Sequence, residues 1–203
     1  MNVFILCTGR TGSVSFIKAC ENLTNFTASH ESKSDLNGEQ RFDFPDQHIE
    51  ADNRLIWDLG RLDQYYGKDA FYVHLTRDHN KIAQSFEKRV YYPNSMIKAY
   101  CDGIKKKPTE KLTKDEIKEY SYDLVKNIEA SIALFLKDKP LQIRMDIDQI
   151  NTDFPDFWSA IQGEGKLGLA LEALTEKHNQ SKKKSFFWYH LKINALKTLK
   201  SIS

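Results

Sequence analysis

The densest chemistry in the chain lies in Cys7-Thr8-Gly9-Arg10-Thr11-Gly12-Ser13-Val14-Ser15-Phe16. Ahead of it, Val3–Cys7 is a short continuous apolar run, the pattern of a strand buried on both faces. Behind it, Phe16, Ile17, Cys20 and Leu23 recur at helical spacing. A turn between a strand and a helix collects anions, because the first helical N–H groups lack intrahelical partners and the helix dipole adds positive potential there. Gly12 lets the backbone close on a phosphate, Thr11, Ser13 and Ser15 can donate hydroxyls, and Arg10 adds a permanent cation. A plain βα turn with Ser13 as cap and Arg10 solvated would leave the same residues in place. A lysine-dependent nucleotide triphosphatase is disfavoured. Its loop needs GxxxxGK[ST], whereas Gly9 and Gly12 stand too close together and Ser13 occupies the lysine position.

A second constellation follows "DAFYVHL", Asp69–Leu75, another strand pattern. Arg77 leaves that strand at the carboxyl edge of a sheet, where α/β proteins bind ligands, and its guanidinium fork suits a terminal phosphate. Asp78 is a good N-cap for the next helix, and Ser85 and Arg89 share one side of it, four residues apart. An ion pair of Arg77 with Asp78 or Glu87 is the alternative use of that arginine.

The elements that must position these residues alternate between strand and helix. A second strand is read over Asn25–Ser29 and a long polar loop over Lys33–Gln47. Ile49–Tyr66 reads as helical, with Trp57 and Tyr65 in the core. The helix after Asp78 carries Ile82, Ala83, Phe86 and Val90 on one stripe. A long amphipathic helix places Ile117, Tyr120, Leu124, Ile128 and Phe135 in phase. Pro140–Ile147 is a further strand, and Phe157–His178 is mainly helical with a break at "GEGKLG". There is no internal repeat. The alternation implies an α/β fold with a mostly parallel sheet flanked by helices.

The order basic residue, Ser/Thr, Gly, Ser/Thr in "GRTGSVS" resembles the phosphosulfate loop of sulfotransferases that use 3'-phosphoadenosine 5'-phosphosulfate (PAPS). In that family an arginine ending a strand and a serine eight positions later bind the nucleotide's 3'-phosphate. "FYVHLTRDHNKIAQSFEKR" supplies Arg77 and Ser85 in that arrangement. The resemblance covers these two elements well and extends loosely through "IRMDIDQINTDFPDFW". "HNQSKKK", His178–Lys184, corresponds weakly to a basic segment that covers the nucleotide in relatives. It implies a three-layer, P-loop-like fold and transfer of a sulfuryl group to a hydroxyl or amine of a carbohydrate or small metabolite. Gly9, Arg10, Thr11, Gly12, Ser13, Val14, Ser15, Arg77, Ser85 and Arg89 would hold the nucleotide, with Arg10 also stabilising the leaving oxygen. No metal is expected, since the loop and arginines supply the positive charge and the six histidines lack ligand spacing.

A general base must take the acceptor's proton. Carbohydrate-type members often use a glutamate just past the second strand, which selects Glu31. His30 ranks second, on the opposite side if the strand continues through it. Glu50 and Asp52 are a third choice, although carboxylates at a helix start also serve the helix dipole.

With 203 residues, 40% hydrophobic and 12% aromatic, the chain can bury a core, and one domain over 1–185 is expected. The formal charge of +2 is too small for general nucleic-acid coating. Three cysteines without CxxC spacing point to reduced thiols and a cytoplasmic setting, with Cys7 a small core residue. No basic leader precedes the first strand, and no apolar run is long enough to cross a membrane. Residues 186–203 form an amphipathic basic helix pattern, suited to docking on the same domain or to peripheral contact with an anionic membrane. Two other functions stay open: a small P-loop-like nucleotide-dependent kinase, and a non-catalytic nucleotide-binding module.

Overall fold

The computed structural model describes residues 1–175. The expected C-terminal helix over 186–203 and the basic run His178–Lys184 lie outside the described residues.

Strand β1 (Val3–Leu6) has all four residues fully buried, as its unbroken apolar run requires. It is followed by α1 (Ser13–Cys20), β2 (Thr27–His30), β3 (His48–Ala51), α2 (Leu59–Tyr66), β4 (Phe71–Thr76) and α3 (His79–Glu87). Then come α4 (Met96–Ala99), α5 (Lys114–Leu136), β5 (Gln142–Asp146), α6 (Ile150–Ala160) and α7 (Leu167–Thr175). The five strands form one sheet in the order β2-β3-β1-β4-β5, and every pairing in it is parallel. Side chains alternate across β1. Val3 and Ile5 join Phe16, Phe154 and Phe157 under α1, α6 and α7. Phe4 and Leu6 join Ile82, Phe86, Leu124 and Ile128 under α3 and α5. The result is a three-layer α/β fold.

Helix starts are coded locally. The Asp78 side chain accepts from Lys81 N at 2.9 Å, and Thr113 with Glu116 makes a reciprocal capping box ahead of α5. Connections from β1 and β4 run to opposite sides of the sheet and over opposite faces. The register Leu6↔His74 sets the carboxyl ends of these two strands side by side. That crevice is where an open parallel sheet offers a ligand site.

The largest departure from the sequence expectation is Ile49–Tyr66, which is not one helix. Its first residues belong to β3, an interior strand between β2 and β1, followed by a 3₁₀ turn over Asn53–Trp57 and then α2. Polar His48 and Glu50 disguise this strand. Both are buried because they satisfy each other: His48 Nε2 lies 3.2 Å from Glu50 Oε2 and His48 Nδ1 lies 2.7 Å from Thr27 Oγ1. Glu50 also accepts from Ser32 N at 2.9 Å and Ser32 Oγ at 2.5 Å. Strand β2 starts two residues later than expected and runs to His30. The loop over Lys33–Gln47 holds a 3₁₀ turn at Gly38–Arg41 and buries Phe42 and Phe44. Trp57, which ends the 3₁₀ turn, and Tyr65, in α2, are not core residues, being 45% and 44% exposed. Among the described residues no helix is long and apolar enough to cross a membrane.

Candidate functional site

The turn after β1 is built from three departures into left-handed backbone within four residues: Gly9 at φ 77°, Arg10 at φ 64° and Gly12 at φ 84°. Only glycine takes this region without penalty, so Arg10 is held there by its surroundings. A Cβ on Gly9 would collide with the Asn53 side chain, and one on Gly12 would lie 2.7 Å from Ile147 Cγ1. The 3₁₀ turn after β3 and the turn that follows β5 therefore clamp the loop. Gly12 is the N-cap of α1 and offers no capping side chain, so the first N–H groups of α1 open onto the loop. Ser13 does not cap the helix; its Oγ lies 3.0 Å from His30 Nε2. Thr11 is fully buried beside the Cys7 thiol. Burial pushes that thiol up, so Cys7 is a protonated core residue and not a nucleophile.

The two constellations separated in sequence meet at this crevice. Arg77 Nη1 donates to the Arg10 carbonyl at 3.2 Å, and Arg10 Nε donates to Ser85 Oγ at 3.0 Å. Arg89 Nη1 donates to the same Oγ at 3.1 Å and to the Ser85 carbonyl at 3.0 Å. Ser85 Oγ thus accepts from two guanidinium groups and keeps its own proton to donate. The pairing considered for Arg77 with Asp78 or Glu87 is not made, and its Nε is buried without a hydrogen-bond partner. Burial first, then the nearby charges of Arg89 and Arg77, push Arg10 down to about 10. Burial also lowers Arg89. Two guanidinium groups lowered by burial thus share one hydroxyl, and a third, Arg77, stands beside them with a buried N–H unspent, a concentration of positive charge and donors suited to an anion.

The candidate bases separate. His30 ends β2 with its ring on Ser13, at the loop. Glu31 follows in left-handed backbone at φ 51°, and its Oε2 pairs with Arg54 Nη1 at 2.9 Å. Glu50 serves the β2–β3 pair described above. Asp52 accepts from Arg54 N at 2.8 Å and forms a buried ion pair with Arg41 at 2.7 Å. It caps the 3₁₀ turn, not a helix. Asn53, Ile147, Arg41, Arg54 and Arg61 escaped the sequence reading, because their relation to the loop exists only across strands. Among the described residues no group of three or more His, Cys, Asp or Glu could hold a metal ion. No protein-family model matches the chain, and no curated protein matches it.

Proposed function

We propose that this protein is a sulfotransferase using PAPS. The observation that carries this reading is the meeting of Arg10, Arg77, Arg89 and Ser85 beside the uncapped start of α1. A nucleotide with phosphates at both its 3' and 5' ends fits two neighbouring anion sites. The arginine and serine cluster takes one, and the loop N–H groups with Thr11, Ser13 and Ser15 take the other. Glycine at 9 and 12 lets the turn take left-handed backbone while packed against Asn53 and Ile147, which fixes where its N–H groups are offered. When bound, the nucleotide supplies a sulfuryl group whose bond to the 5'-phosphate breaks as the acceptor oxygen bonds to sulfur. The residues of this chain hold the leaving group, concentrate positive charge on it, and take the acceptor's proton. We assign the proton to His30, whose ring already sits on the loop, while Glu31 is engaged by Arg54. All three cysteines are free and buried, which suits a reducing cytoplasm.

Calorimetry with 3'-phosphoadenosine 5'-phosphate, ADP and 5'-AMP tests the reading. The 3'-phosphorylated ligand should bind tightest, and Arg77→Ala should weaken it by about 2–4 kcal/mol while barely altering 5'-AMP. Tighter binding of ADP would favour a kinase. Equal losses for both ligands in Arg77→Ala would remove the 3'-phosphate assignment.

A further inference from the structure

On the same edge of the sheet, beyond the nucleotide elements, lies a cleft of about 350 Å³ lined by Arg41, Arg54, Trp57, Asp58, Arg61 and Asn94, among others. It opens past the carboxyl ends of β2 and β3, and it adjoins the loop directly, since Asn53 packs on Gly9 and Arg54 is its neighbour. The charges in it are unequally spent. Arg41 is buried and shared between Asp52 at 2.7 Å and Asp58 at 3.4 Å. Arg54 divides its guanidinium between Glu31 and the Asn94 carbonyl, at 2.9 and 3.3 Å, and stays partly exposed. Arg61 enters no ion pair among the described residues. Its guanidinium lies over the Phe42 ring, 4.7 Å from the centroid, and Tyr65 stacks on that same ring with centroids 4.9 Å apart. A cation anchored on an aromatic face with its donors left over is a ready partner for a carboxylate or sulfate. Trp57, exposed to 45% on the same wall, offers a flat apolar surface that no buried cluster uses.

We propose that this cleft binds the acceptor, and that the acceptor is an acidic ring compound: its carboxylate or sulfate meets Arg61 and Arg54 while its ring lies on Trp57. The proposal names the substrate class of the transferase reading and rests on it. A neutral alcohol would leave Arg61 without a partner, so the anion sets the preference and the ring sets the orientation. Glu31 then serves to hold Arg54 in the wall of the cleft.

The test uses the full chain without nucleotide and two matched pairs of probes: methyl glucuronide against its neutral amide, and 4-hydroxybenzoate against 4-hydroxybenzamide. Binding is read by tryptophan fluorescence and calorimetry. At least one acid should bind about tenfold tighter than its amide. Arg61→Ala should erase that difference without changing amide binding, Arg61→Lys should restore part of it, and Trp57→Ala should weaken acid and amide alike. If both acids bind no better than their amides, or Arg61→Ala leaves the difference intact, the cleft is not an acid site. Binding of 3'-phosphoadenosine 5'-phosphate to the same preparations separates the two claims. Nucleotide binding without acid preference sinks the cleft alone. Acid preference without nucleotide binding keeps the cleft and removes the transferase.

Discussion

Arg10 is unfavourable twice in the free protein: its backbone sits at φ 64°, and its guanidinium is desolvated beside Arg89 and Arg77. A basic group whose folded value lies below its unfolded one is disfavoured in its charged form by folding. The cost is therefore present at neutral pH and fades as pH rises through about 10. Asn tolerates the left-handed region and removes the charge. Arg10→Asn should raise stability by about 1 kcal/mol, seen as a few degrees in thermal unfolding, while abolishing turnover. A less stable Arg10→Asn would mean that the Ser85 contact outweighs both penalties. A bound dianion reverses the balance and favours the cation. Affinity for 3'-phosphoadenosine 5'-phosphate should hold across neutral pH and decline as pH passes about 10. The base belongs to this scale too. His30→Ala should cut turnover by roughly 10²–10⁴-fold with nucleotide affinity nearly unchanged, and Glu31→Gln should cost much less. A dead Glu31→Gln beside an active His30→Ala would return the role to the glutamate.

At the scale of elements, the site depends on a turn clamped between two others. Gly12→Ala places a side chain in left-handed backbone and against Ile147. It should destabilise by about 2–3 kcal/mol. Adding Ile147→Ala should recover only the steric part, leaving the backbone part in a denaturant titration. Full recovery would show that the turn tolerates a side chain there. The pair β2–β3 presents both His30 and Glu31, and its buried polar chain sets how firmly it does so. Glu50→Ala would strand His48 and both donors of Ser32, at about 2–4 kcal/mol, and Glu50→Gln should cost less because it still accepts. Equal costs would mean that packing, not hydrogen bonding, accounts for Glu50.

At the scale of the whole molecule, the sheet separates two apolar layers. Phe154 packs edge-on to Phe16 at 5.3 Å between ring centroids and ties α6 to α1, whereas Leu124 is buried on the opposite face. Phe154→Ala should cost about 3–5 kcal/mol and Leu124→Ala about 2–5 kcal/mol. With the sheet between them, the two losses should add to within about 0.5 kcal/mol in equilibrium unfolding. A larger coupling would mean that the faces communicate through the strands. Both should also weaken binding of the proposed nucleotide, because Phe154 supports α1, whose N-terminus is assigned to one phosphate, and Leu124 packs under α3, which carries Ser85.

The alternation of apolar runs and helical stripes was enough to read a parallel α/β sheet, since burial on both faces leaves no other use for Val3–Leu6 or Phe71–Thr76. The loop Gly9–Ser15 and the Arg77–Ser85 spacing were legible for a similar reason: residue type and local turn geometry are short-range properties. Strand β3 was not, because its polar residues are satisfied by β2, a partner that no local window contains. Nor was the joining of Arg10 to Ser85, 75 positions apart, or the cleft that gathers Arg41, Arg54 and Arg61 around Trp57. Those depend on the strand order β2-β3-β1-β4-β5, which brings distant carboxyl ends to one edge. The sequence by itself determined which residue types each segment brings to the sheet edge. Only the tertiary structure decided which charges share a site, because charge acts through space and desolvation, not along the chain.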